Sequence, residues 1–187
     1  MSFLFGKDYK MDPVSQATNP ASLIHFTGII AVISGIISAI GVVLLIAMFI
    51  LFATPYKELA LRVGLLNDIC VALQYLLAIP IALVLRQILQ VYQPDLIRIA
   101  TIVGIVSMVL VFGLQLLLIF KVLTFEKQVV WVSLAMILGV GSWLIITGIV
   151  ARSTGRMPNS VLMSVLAVPY IGYPLWAFWL GRLLLVW

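Results

Sequence analysis

Five long apolar runs, separated only by short connectors, dominate this sequence of 187 residues. They cover 27–53, 65–85, 99–120, 129–150 and 161–186. A helix needs about 20 apolar residues to cross the hydrocarbon layer of a membrane, which is roughly 30 Å thick. Each run meets that length. The pattern therefore predicts an all-α integral membrane protein, a bundle of five transmembrane helices with short loops.

Composition supports this class. The chain is 64% hydrophobic and 9% charged, whereas soluble domains carry about 25% charged residues. A small globule could not hide so much apolar surface from water, which excludes a soluble enzyme or a disordered chain. The net charge of +5 does not indicate a nucleic-acid partner, because the basic residues are scattered at the ends of the apolar runs rather than clustered.

The runs divide the chain into an N-terminal interfacial segment, 1–26, and a single transmembrane domain, 27–187. An odd number of spans places the two termini on opposite sides of the membrane. We call the side where the first span begins side A and the other side B. The basic residues predicted to lie on side A are Lys7, Lys10, Arg86, Arg98, Arg152 and Arg156. Those of side B are Lys57, Arg62, Lys121, Lys127 and Arg182. Six against five is too even for the positive-inside rule to fix the orientation, and we favour a cytoplasmic side A.

Local signals predict where the helices start. Thr54 and Pro55 are typical of an N-cap and first helical position, so the second helix is expected to begin near Pro55. Glu58 and Arg62 then have the spacing of an ion pair on one helix face. Pro94 is expected to open the third helix in the same way.

Small residues recur every fourth position in the first span, at Ala31, Gly35 and Ala39. Such a stripe lets two helices approach closely within a membrane. The stripe predicts a helix-packing surface. Packing inside the bundle and packing against another protein both remain open.

Polar side chains inside apolar runs are costly in hydrocarbon and therefore mark candidate sites. The candidate intramembrane polar cluster consists of Asn67, Asp68, Gln74, Tyr75, Gln115, Tyr170, Tyr173 and Arg182.

Within this cluster, the five-span topology puts Asn67, Asp68, Gln115 and Arg182 at a similar depth near side B. Asp68 and Arg182 are the best candidates for an ion pair. The alternatives are that the carboxylate pairs with Arg62 or reaches the interface, and that Arg182 extends to the lipid headgroups.

The remaining members lie deeper. Gln74 and Tyr75 follow Asn67 and Asp68 by seven residues on the same helix face. Tyr170 and Tyr173 reach a similar depth in the fifth run, which Pro169 and Pro174 are expected to bend. Either these residues form a polar pocket for a quinone or lipid headgroup, or the helix simply bends to follow a neighbour.

No motif in the sequence predicts catalysis. We expect no catalytic, cofactor-binding or metal-binding residue, and we expect the protein not to be an enzyme. His25 is the sole histidine, so the chain cannot supply the two axial histidines of a b-type haem. Whether His25 binds anything else stays open, as does a bound lipid or quinone.

Two stretches resemble known proteins. The sequence Tyr-Pro-Leu-Trp-Ala-Phe-Trp-Leu-Gly-Arg at 173–182 resembles the last helix of small uncharacterised bacterial membrane proteins with several spans. The sequence at 62–69 is similar to an early helix of such proteins. The resemblance implies an all-helical bundle in a bacterial inner (cytoplasmic) membrane, and it implies no substrate and no catalytic residue.

Three functions are compatible with these features. The first is a non-catalytic structural or accessory subunit of a larger membrane complex, an energy-converting complex being one example. The second is a small oligomeric transporter or channel that uses the stripe Asn67, Asp68, Gln74 and Tyr75. The third is a quinone- or lipid-binding membrane protein. The expected partners are the lipid bilayer and other membrane protein chains, and no nucleic acid.

Overall fold

The computed structural model describes residues 20–154 and 172–186, and this part of the chain is helical without strands. Its helices are α1 (Pro20–Phe52), α2 (Lys57–Leu89), α3 (Pro94–Ile119), α4 (Phe125–Ser153) and α5 (Gly172–Val186). The first four are long and apolar enough to cross a membrane. They cover the first four predicted runs except for residues 53 and 120, so an all-α protein with long apolar helices is confirmed.

The helix ends differ from some local predictions. α1 begins at Pro20, so 20–26 continue the first helix, and 1–19 of the proposed interfacial segment lie outside the described residues. α2 begins at Lys57, two residues after Pro55, so the predicted start near Pro55 is confirmed. Thr54 does not cap it: the N-cap residue is Tyr56, and the Thr54 hydroxyl donates to the Leu51 carbonyl at 2.7 Å and accepts from the Tyr56 N–H at 3.3 Å. Pro94 opens α3 as predicted.

Helices α1 to α4 run up and down in sequence order. Gly41 of α1 lies against Asn67 and Cys70 of α2, and Met48 lies against Gly64, so rising numbers in α1 meet falling numbers in α2. α3 packs on α2 and on α4. The α3–α4 contact is also antiparallel, with Trp143 lying over Gly104 and Gln128 bonded to Gln115.

The last helix packs against the first. A Cβ built on Gly28 would lie 3.1 Å from the carbonyl oxygen of Gly181, and one built on Gly35 would lie 3.2 Å from the Phe178 ring. Tyr173 meets Ser34 further along α1. Since partner numbers fall as α1 numbers rise, α5 is antiparallel to α1.

This direction overturns one feature of the predicted topology. α5 starts beside Ser34, midway along α1, and ends level with the first turns of α1. Val186 and Pro20 are therefore both at side A, and the prediction of opposite sides is wrong for these described ends. The 15 residues of α5 extend about 22 Å at 1.5 Å per residue, which is shorter than the hydrocarbon layer. The rest of the predicted fifth run, 161–171, lies outside the described residues.

A π-helical segment, Ala135–Gly141, interrupts α4. It brings Gly139 directly against the Ser107 side chain of α3, where no Cβ would fit. The Ser142 hydroxyl donates to the Gly139 carbonyl at 2.9 Å, which satisfies a backbone acceptor of the widened turn. π-Helical segments occur frequently at functional sites. This one lies where α3 and α4 approach closely, at Gly139 and Ser107.

The outer surface of the bundle is apolar over its whole middle section. Val43 on α1, Val106 on α3 and Leu138 on α4 are each more than 60% exposed. Soluble monomeric proteins rarely expose so large a continuous apolar surface. The structure is therefore compatible with an integral membrane protein.

Candidate functional site

Four aromatic side chains meet in the middle of the bundle: Tyr75, Trp143, Tyr173 and Trp176. Each is at most 4% exposed. The Tyr173 ring lies 6.5 Å from Tyr75 and 5.7 Å from Trp176, and Trp176 meets Trp143 edge-on at 5.6 Å. The cluster thereby joins α2, α4 and α5, and we call it the aromatic cluster.

Ser34 connects the aromatic cluster to α1. Its hydroxyl lies 2.9 Å from the Tyr173 hydroxyl in a buried hydrogen bond. Aromatic pairs of this geometry add about 0.5–1.5 kcal/mol each beyond their buried area. The arrangement fixes the beginning of α5 against three other helices.

The aromatic cluster contains one pair of the predicted polar residues. Tyr75 and Tyr173 were expected at a similar depth, and they are in contact. Pro174 is the third described residue of α5, and the bend predicted there involves residues before 172, which lie outside the described residues. Tyr170 and Pro169 lie outside the described residues.

Asn67 and Gln74 are buried inside the bundle, at 6% and 5% exposure. The Asn67 side-chain oxygen has no hydrogen-bond partner and lies 3.7 Å from the position of a Cβ on Gly41. Since Gly41 has no side chain, the α1–α2 interface leaves room beside this buried acceptor.

Gln115 is also buried, and it has a partner that the sequence analysis missed. The Gln128 amide nitrogen donates to the Gln115 side-chain oxygen at 2.9 Å, which links α3 to α4. Gln128 comes early in α4, three residues after its first residue. Its spacing of four and seven residues before the apolar Val132 and Ala135, which puts all three on one helix face, was the signal that could have identified it.

Asp68 lies at the level of Gln115, since each is 21 residues along its helix from the α2–α3 turn. Its side chain is partly exposed, and no ion pair with another described residue reaches it. Of the carboxyl groups in the described part of the chain, Asp68 lies furthest from a helix end.

Arg182 is not the partner of Asp68. It is exposed on α5 next to Gly181, which packs against Gly28 near side A, whereas Asp68 is level with Gly41. Thirteen residues of α1 separate these levels, which corresponds to about 20 Å. The predicted pairing is wrong because α5 runs in the opposite direction from that expected.

The small-residue stripe of α1 packs inside the bundle. Ala31 and Gly35 are buried, and Gly35 faces Phe178 of α5, while Ala39 is partly exposed. The closest contact was not predicted: Gly28 and Gly181 bring the backbones of α1 and α5 together. Glycine at both positions was the available signal.

Neither His25 nor any other described residue belongs to a group of three or more potential metal-binding side chains. His25 is exposed on the first turns of α1. Among the described buried polar side chains, Ser34 bonds to Tyr173, Gln115 bonds to Gln128 and Thr27 bonds to the Leu23 carbonyl, while the Asn67 oxygen has no partner.

Comparison with other proteins adds no family to this picture. No protein-family model matches the chain, no curated protein is significantly similar in sequence, and no solved structure is significantly similar in fold.

Proposed function

We propose that this chain is a non-catalytic structural or accessory subunit of a larger protein complex in a membrane. The resemblance at 173–182 and 62–69 favours the inner membrane of a bacterium. The observation that carries the proposal is the position of Asp68.

Depth comes first. Arg62 and Arg86 lie 24 residues apart on α2, or about 36 Å, and so bracket the hydrocarbon layer of about 30 Å. Asp68 follows Arg62 by six residues and lies about 9 Å deeper. In a bilayer its carboxyl group is therefore inside the hydrocarbon.

A charged group is unfavourable by about 2.5–3.5 kcal/mol at the centre of a membrane-spanning helix, and an unpaired carboxylate about 6 Å inside the hydrocarbon carries part of that cost. No described lysine or arginine forms an ion pair with Asp68. The one nearest in depth is Lys127, which precedes Gln128, the partner of Gln115 at the level of Asp68. Within one copy of the chain Asp68 therefore has no described cationic partner, and a second copy could offer it only Lys127. We infer that a different polypeptide supplies the cationic or hydrogen-bonding group that meets it.

The transporter alternative uses the same carboxyl group but needs the rest of its stripe to line a path. Asn67, Gln74 and Tyr75 are buried within the bundle rather than on its outer surface, so a path between protomers would require the helices to separate.

For the quinone alternative, the Tyr173 hydroxyl would have to exchange its bond with Ser34 for one to the ligand. Both alternatives therefore require a rearrangement that the subunit function does not.

Native mass spectrometry after mild detergent extraction tests the proposal. The wild-type chain should leave the membrane with a different polypeptide in fixed stoichiometry, and Asp68→Asn should reduce that association. Glu126→Gln is the matched control, since Glu126 is exposed in the first turn of α4. A wild-type chain that is stably monomeric, or that transports an ion in proteoliposomes only when Asp68 is intact, would contradict the subunit function.

A further inference from the structure

The turn between α1 and α2 forms a cleft at side B. The cleft has a volume of about 430 Å³ and is lined by Pro55, Tyr56, Glu58, Leu59 and Arg62. Sites for small ligands typically enclose about 300–1,000 Å³. The cleft is thus large enough for a small polar group, and it lies where lipid headgroups meet the end of the bundle.

The cleft contains two opposite charges that do not neutralise each other. Glu58 and Arg62 are one helical turn apart on α2, a spacing that predicts an ion pair. In the structure both side chains are exposed, and the two do not form one. The predicted pair is absent, and a carboxylate and a guanidinium are both available to a ligand in one cleft.

An apolar track continues from the cleft towards the middle of the bundle. Leu59 lines the cleft, and Leu66 and Leu73 follow it at intervals of seven residues. Residues seven apart lie on nearly the same face of a helix. All three leucines are more than 40% exposed, so this face of α2 offers an acyl chain a continuous contact below the cleft.

We propose that this cleft binds a phospholipid whose headgroup carries both a phosphate and a primary ammonium group, as in phosphatidylethanolamine. Arg62 donates charge-assisted hydrogen bonds to the phosphate, and Glu58 accepts them from the ammonium group. Tyr56, which is 67% exposed, lies at the interface where aromatic side chains favour headgroups. The leucine track holds one acyl chain.

Native mass spectrometry with defined lipids tests this site. The protein is purified and incubated with equal amounts of phosphatidylethanolamine, phosphatidylglycerol and phosphatidylcholine, and the retained lipids are compared. We expect wild-type protein to retain phosphatidylethanolamine about two- to fivefold more than either other lipid, the range that exposed ion pairs allow. Glu58→Gln should abolish this preference, and Arg62→Gln should lower the retention of all three lipids.

Glu126→Gln is again the control, because it removes an exposed carboxylate from the same side of the bundle, and it should keep the preference. Equal retention of the three lipids by wild-type protein would overturn the proposal, as would a preference that survives Glu58→Gln. Retention of phosphatidylcholine as strong as that of phosphatidylethanolamine would overturn the primary-ammonium assignment, since choline has no N–H donor.

Discussion

The hydroxyl groups of Ser34 and Tyr173 lie 2.9 Å apart in the interior of the bundle, although 139 residues separate them in the chain. This bond joins the middle of the first helix to the beginning of the last one. It thereby places α5 against α1, and the direction of α5 determines which side of the membrane its last described residue reaches.

Tyr173→Phe should destabilise the protein by about 0.6–1.7 kcal/mol, because hydrogen bonds between membrane helices contribute energies in this range. The measurement is reversible unfolding in mixed micelles. Ser34→Ala should cost a similar amount, and the double variant should cost little more than either single one. Additive losses would show that the two hydroxyls are not coupled. Tyr56→Phe, at an exposed position, is the control and should be neutral.

Gly181→Ala should weaken the packing of α5 on α1. A Cβ at this position would lie 2.8 Å from the Gly28 carbonyl oxygen and 2.9 Å from the Val32 backbone nitrogen, and backbone atoms cannot move aside as a flexible side chain can. We expect a loss of about 1–3 kcal/mol in the free energy of unfolding. Gly113→Ala is the matched control, since nothing lies within 4 Å of its Cβ position. Equal effects of both variants would contradict the close approach of the two helices.

Gln115→Leu should destabilise the protein by about 1–3 kcal/mol, because it leaves the buried Gln128 amide without its partner. The double variant Gln115→Leu/Gln128→Leu should recover most of this loss, since no buried polar group then remains unpaired. A thermal unfolding series of the four proteins measures the coupling. If the double variant is less stable than Gln115→Leu alone, the bond does not contribute as described.

Asn67→Leu, unlike Gln115→Leu, should not lower the free energy of unfolding. The Asn67 oxygen is buried without a hydrogen-bond partner, so its replacement removes an unfavourable group. We expect stability unchanged within about 0.5 kcal/mol or increased. A loss above 1 kcal/mol in the same unfolding assay would mean that a water molecule or ligand bonds to Asn67 in the membrane.

The sequence predicted the four long helices well, because their apolar runs are continuous and longer than a membrane requires. Pro94 marked the start of α3 for a local reason, since proline fits the first helical position. Thr54 carried an equally typical local signal, but its hydroxyl bonds to the Leu51 carbonyl and the Tyr56 N–H, both before the first residue of α2. A threonine at such a position can bond to a carbonyl of the preceding helix or to an N–H of the following one, and the sequence does not determine which bond forms.

The direction of α5 could not be predicted from the same evidence. Hydropathy treats 161–186 as one run, and counting runs then fixes the side of each end. What determines the direction is contact between distant residues, such as Gly28 with Gly181 and Ser34 with Tyr173. The aromatic cluster was missed for the same reason, because Trp143 and Trp176 become neighbours only after α5 packs against the bundle.

Cysteine accessibility in sealed vesicles tests most directly the claim that α5 ends at the side where α1 begins. Cys70 is first replaced by alanine, and single cysteines are then introduced at Val186, at Gln90 on side A and at Tyr56 on side B, all exposed positions. A membrane-impermeant maleimide should label Val186→Cys and Gln90→Cys from the same side, and Tyr56→Cys from the opposite side. Labelling of Val186→Cys from the side of Tyr56→Cys would contradict the account and restore five full crossings.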